Sequence, residues 1–126
     1  MSRTTVEILQ DALAHFEIMQ DHAAQDLDER LVIDAVCMRL SAGIEALAAL
    51  DPTVREEIFG EVWPLMWGMR NRIAHGYLLV ETTIIRQTLI HDVPSIVSRI
   101  RLRVHIDASA AIDDDATGGE SAHDRG

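Results

Sequence analysis

The sequence predicts an all-α protein, an antiparallel bundle of four long helices plus one short helix. Two observations carry that expectation. Apolar residues make up 48% of the chain and recur at three- and four-residue steps, the spacing of one helix face. Aromatics are only 4%, and the apolar set is mainly Ala, Leu, Ile and Val, which suits helices packed on helices. A chain of 126 residues fits one domain, large enough to hide roughly two-thirds of its unfolded surface.

Residues 4–25 read as the first helix, with Val6, Leu9, Leu13, Phe16 and Met19 on one face and Thr4 or Thr5 as its cap. Glu7 and Glu17 read as solvated charge. His15 and His22 lie seven apart on one face; with no Cys, Asp or Glu set at a metal-binding spacing, they read as surface or interface histidines. Asp26 and Asp28 are expected to open a second helix to about Leu50, with the apolar row Leu31, Ile33, Val36, Leu40, Ile44, Leu47 and Leu50 and with Glu45 exposed or paired. Asp51 followed by Pro52 is a helix start, and Gly60 ends that short helix. The next helix runs from about Glu61 to His75, with Pro64 in its first turn and Gly76 as its C-terminal stop. Trp63 and Trp67 share a face there and read as core or dimer-interface packing. The last helix begins near Glu81, is kinked or restarted at Pro94, and continues through "SIVSRIRLRVHI". The helical domain is expected to span residues 1–106. Residues 107–126, small, acidic and without apolar period, are expected to form a disordered tail.

Net charge is −10, and every basic residue is arginine. Residues 1–67 carry four Arg and thirteen acids, whereas residues 68–106 carry six Arg against Glu81 and Asp92. So acidic a chain is ill suited to broad nucleic-acid adhesion. A local basic surface can still hold a phosphate, because salt screens charges beyond about 8–10 Å. The single cysteine, Cys37, precludes a disulfide framework and fits a reducing cytoplasm. The start "MSRTTVEILQDALAHFEIMQD" lacks the apolar run of a signal peptide, and no segment approaches the ~20 apolar residues of a membrane span. The expected location is therefore cytoplasmic.

The densest polar chemistry lies in "MRNRIAHGYLLV", Met69 to Val80. Asn71 and His75 are four apart and project together near a helix end. Arg70 is one step round and reaches the same space, Arg72 is expected to point roughly the opposite way, and Tyr77 returns beside His75 after the turn at Gly76. Histidine gives or takes a proton near neutrality, and arginine holds phosphate oxygens bidentately. The absence of a nearby carboxylate cluster speaks against a two-metal nuclease. The set therefore suits metal-independent RNA cleavage by the substrate's own 2′-hydroxyl. His75 would move protons and Arg70 would stabilise the charged transition state. Spacing alone leaves another reading open: Arg and His in a last turn also complement the helix's negative end by roughly 0.3–1 kcal/mol.

"MRNRIAHGY" resembles the Arg-x-x-x-x-His-x-Tyr signature of HepT-like toxins in the HEPN superfamily of all-helical ribonucleases. "DERLVIDAVCMRLSAGIEALAAL" resembles the family's second helix, and "VWPLMWGMRNRIAHGYLLVETTIIRQTLIHDVPSIVSRI" its last two. The resemblance covers residues 5–103. It implies a homodimer in which two motifs face each other across a cleft, with Arg70 and His75 catalytic, Asn71 supporting them, and neither metal nor cofactor. It further implies the toxin of a type VII-like toxin–antitoxin pair, with RNA, and tRNA in particular, as target. The antitoxin would be an MntA-type minimal nucleotidyltransferase that attaches AMP to Tyr77, adding bulk and negative charge where RNA phosphate must sit. The alternative is a non-catalytic helical module that docks such a nucleotidyltransferase. One departure stands out. Where the family's second helix usually reads Ile-Gly-Glu-Ala, this chain has Gly43, Ile44, Glu45 and Ala46, which takes glycine from the usual close-packing position.

Overall fold

The computed structural model describes residues 3–76 and 81–124, and side chains as far as residue 112. Its elements are α1 (Thr5–Ala23), α2 (Arg30–Leu47), α3 (Pro52–Phe59), α4 (Val62–Gly76), α5 (Thr82–Gln87), a π-helical segment at Thr88–Asp92, and α6 (Val93–Asp124). From α5 onward the run is continuous, so the bundle has four long rods and the short α3, with no strand among the described residues. Side-chain contacts link the rods. His15 meets Arg39 between α1 and α2, Glu45 meets Arg70 between α2 and α4, and Glu17 meets Arg101 between α1 and α6.

Each start has a local cause. The Thr4 hydroxyl accepts from the Glu7 N–H at 3.1 Å and caps α1. Asp51 accepts from the Thr53 N–H at 2.9 Å, with Pro52 at the first position of α3, where its missing N–H costs nothing. Helix α2 begins at Arg30, later than the sequence predicts. Asp26 folds back on the Asp28 N–H at 2.9 Å in a local turn, and this bond competes with helix formation. The buried Leu27 anchors that turn.

Leu9, Ala12, Phe16 and Met19 of α1 share one core with Val36, Cys37, Leu40, Ile44 and Leu47 of α2 and Val93, Ile96, Val97 and Ile100 of α6, joined by Ile58 and Phe59 of α3, Met66 and Ile73 of α4 and Ile85 of α5. The predicted apolar faces are not buried throughout. Leu31, in the first turn of α2, is 81% exposed, and Ile33 is only partly buried. On α1, Ile8 and Ala12 are buried, whereas Val6 and Leu13 are only partly so. Gly43 does serve close packing: a Cβ there would sit 2.8 Å from the Phe16 ring, so α1 and α2 approach at this point. The exchanged Gly43-Ile44 order thus keeps a glycine contact, one residue earlier in the helix.

Pro94 neither ends nor restarts the last rod. One wider turn absorbs it, with the Val93 N–H donating to the Thr88 carbonyl five residues back. The buried Thr88 hydroxyl donates to the Ile84 carbonyl at 3.0 Å and is thereby satisfied. Helix α6 then continues to Asp124, through the segment where the sequence predicts a disordered tail. No apolar side chain described between residues 105 and 112 is buried. Alanine at 108, 110 and 111 favours helix strongly enough to propagate one already formed.

The charge asymmetry of the sequence is resolved across the bundle. Arg86 pairs with Asp28, Arg101 with Glu17, and Arg103 with Glu57 and Asp107. Arg99 donates to the Ile58 and Phe59 carbonyls at the end of α3. Most of the arginines of the second half are thus occupied, by acids and carbonyls of the first half and by Asp107. These bridges are solvent-exposed, worth roughly 0–1 kcal/mol each, and set register more than stability.

Candidate functional site

The site is built at the C-terminal end of α4. A straight helix turns 100° per residue, so Gly68, Asn71, Arg72 and His75 fall on one stripe. That stripe lines an open cleft of about 580 Å³, with Glu81 and Ile84 from the start of α5 on the other wall. Gly76 ends α4 at φ +143°, a conformation that L side chains rarely adopt, and this glycine lets the chain turn from one wall to the other. Gly68, with nothing within 4 Å of a notional Cβ, keeps the cleft open beside Asn71.

The structure brings Asn71 and His75 together on the cleft, as the spacing predicts. Arg70 takes a different direction. Its guanidinium lies 4.9 Å from the Trp67 ring centroid and donates to Glu45 of α2 at 3.2 Å. Arg70 also donates to the Asn71 side-chain oxygen at 3.3 Å, and through that bond it touches the cleft. The Asn71 amide therefore has its oxygen engaged and its NH2 available as a donor. The Arg70 Nε is buried without a hydrogen-bond partner among the described residues. Tyr77 lies outside the described residues.

Arg72 corrects the sequence expectation. It stands opposite Arg70 on the helix, but only about 60° from His75 at 100° per residue, and it lines the same cleft. Sequence reasoning measured its direction from the wrong residue. Trp67 and Glu45 are the other participants missed as such. Trp67 stacks on Trp63 at 5.6 Å, Arg55 covers Trp63 at 4.7 Å, and Phe59 follows at 6.4 Å. The tryptophan row is thus a half-buried aromatic ladder clamped by two arginines, and its last rung holds Arg70. Glu45, which the sequence reads as exposed or paired, is both, with Arg70 as partner. The Arg39 guanidinium donates to His15 Nδ1 at 3.2 Å, a structural contact between α1 and α2. Among the described residues, no group of three His, Cys, Asp or Glu is placed to hold a metal ion, and no helix is long and apolar enough to cross a membrane.

Fold and site together define an all-α bundle of the HEPN type, with a polar cleft at one helix end. Within that class the chain belongs to the HepT-like family: the family model described as ribonuclease HepT-like matches residues 8–102. The matched span contains every site residue named above and stops short of the α6 extension. No curated protein and no solved structure matches the chain.

Proposed function

We propose that the chain is a metal-independent endoribonuclease, the toxin of a type VII-like toxin–antitoxin pair acting in the cytoplasm on RNA, with tRNA as the preferred class. The observation that carries this reading is the shared cleft of Asn71 and His75, with Arg70 hydrogen-bonded to Asn71, in a chain of the HepT-like family. In the reaction the RNA 2′-hydroxyl loses its proton and attacks the adjacent phosphorus. The P–O5′ bond breaks, leaving a 2′,3′-cyclic phosphate, and the departing 5′-oxygen takes up a proton. His75, at the rim of the cleft, moves these protons. Arg70 stabilises the charge that builds on the phosphoryl oxygens, and the Asn71 NH2 donates to one of them. A homodimer in which two motifs face each other supplies two histidines, so that one can accept while the other donates.

Neutralisation follows from the position of Tyr77 in the sequence. An MntA-type nucleotidyltransferase partner transfers AMP to Tyr77, two residues beyond His75, and the added phosphate repels RNA. The test is growth arrest on expression. His75→Ala is expected to abolish arrest with fold and dimer unchanged, and a His75→Ala protein as toxic as wild type contradicts the reading. The second reading, a non-catalytic module that docks a nucleotidyltransferase, is favoured by the exposed Leu31 and Met38 along α2. It requires tight binding to that partner with no RNA cleavage by unmodified protein.

A further inference from the structure

We infer that Arg72 is the residue that binds the RNA backbone in this cleft, one phosphate at a time, while Arg70 is held for another task. The inference rests on the ribonuclease reading for its substrate and on charge pairing for its argument. Arg3, Arg30, Arg39, Arg55, Arg70, Arg86, Arg99, Arg101 and Arg103 each engage a carboxylate, a carbonyl, a histidine or an aromatic face. Arg72 alone among the arginines of the described residues has no such partner, and it lines the cleft that holds His75. A protein with net charge −10 that pairs every other described arginine leaves one guanidinium exposed beside its candidate catalytic histidine.

An unpaired guanidinium is the group best shaped for a phosphodiester, since two N–H donors meet two phosphoryl oxygens. Asn71 on the same wall supplies a further donor. Glu81 across the cleft is a carboxylate, so the site does not attract anions by diffuse field; the contact must come from Arg72 itself. No aromatic ring is among the described residues that line the cleft, so nothing described there stacks on a base. The feature recognised by Arg72 is a phosphate of the RNA backbone.

The test uses the full-length chain and a short fluorescein-labelled single-stranded 2′-O-methyl RNA, which keeps the phosphates and lacks the nucleophile. Binding is followed by anisotropy across a salt series for wild type, Arg72→Gln and Arg72→Lys, with tRNA cleavage measured alongside and melting curves confirming the fold. Arg72→Gln is expected to weaken binding about tenfold and to flatten the slope of log K against log salt by about 0.7, the loss of one phosphate contact on a single strand. Arg72→Lys is expected to keep the slope and recover part of the affinity. In cleavage, KM rises about as much as Kd, and kcat stays within about threefold. Unchanged affinity and slope in Arg72→Gln would overturn the inference, as would a wild-type chain that does not bind the RNA. Arg72-dependent binding by a wild-type protein that cleaves nothing would uphold the Arg72 site and refute the ribonuclease reading, so the two failures are distinguishable.

Discussion

The two sides of α4 treat an arginine in opposite ways. On the side facing α2, Arg70 is fixed by a carboxylate, an amide and an indole face, with its side chain 25% exposed. On the side facing α5, Arg72 has no partner among the described residues and shares an open cleft with His75. A guanidinium held on several sides has little rotamer freedom left to lose when charge develops nearby, which suits transition-state stabilisation. A guanidinium in solvent is free to meet a substrate and gains by exchanging water for phosphate. Two arginines two positions apart need not be redundant, because the helix turns them toward different neighbours.

The sharpest way to break this comparison is to remove the proton carrier on the open side. His75→Ala should lower RNA cleavage by about 10²–10⁴-fold, the usual worth of a general acid–base group. Melting temperature should stay unchanged, since His75 is exposed and makes no described contact. A proportionate loss of stability would mean that the residue is structural.

Arg70→Ala should behave differently, losing activity by about 10²-fold together with roughly 1 kcal/mol of stability, because it removes the stacking on Trp67 and the bridge to Glu45. Glu45→Gln separates the two effects. It leaves Arg70 its charge but loosens its hold, and should reduce kcat several-fold with little change in the unfolding midpoint, since Glu45 itself is 59% exposed. Equal activity in Glu45→Gln would show that the fixed position of Arg70 is not used.

A third test addresses the packing behind the pinned side. Gly43→Ala places a methyl group 2.8 Å from the Phe16 ring and should cost about 1–3 kcal/mol, read from chemical denaturation. Activity per folded molecule should persist, since the cleft lies on the far side of α4.

The smallest effect concerns Cys37, in the core on α2. Burial, reinforced by Asp34 and opposed by Arg30, pushes its thiol up to about 11. A raised value means that the folded state holds the proton more tightly. The contribution of Cys37 to stability is therefore constant up to about pH 9 and is lost as pH rises toward 11. Native protein should resist iodoacetamide at pH 8 and react only once unfolded, which mass spectrometry resolves; rapid native alkylation would contradict the burial.

Much of this architecture is legible from local pattern. The row Val36, Leu40, Ile44 and Leu47 is the core face of α2, and Asp51-Pro52 starts α3 as written. Asn71 and His75 share their face because helical spacing alone requires it. What escapes sequence reading is set by distant partners. Leu31 continues the apolar period but lies on a turn that nothing covers. The arginine-rich segment looks like a basic surface until Glu17, Asp28, Glu45 and Glu57, remote in sequence, are placed against it. Arg72 was hidden by a choice of reference: opposite Arg70 is not opposite His75. The π turn before Pro94 repairs a clash in a way no residue type announces.

The central claim is that the open face of α4 cleaves RNA without a metal. The most direct measurement is digestion of purified tRNA in EDTA by unmodified protein, wild type beside His75→Ala, with intact mass first confirming that Tyr77 carries no AMP. The account predicts fragments ending in 2′,3′-cyclic phosphate from the wild type alone. Intact tRNA with both proteins, or equal cleavage by both, would contradict it.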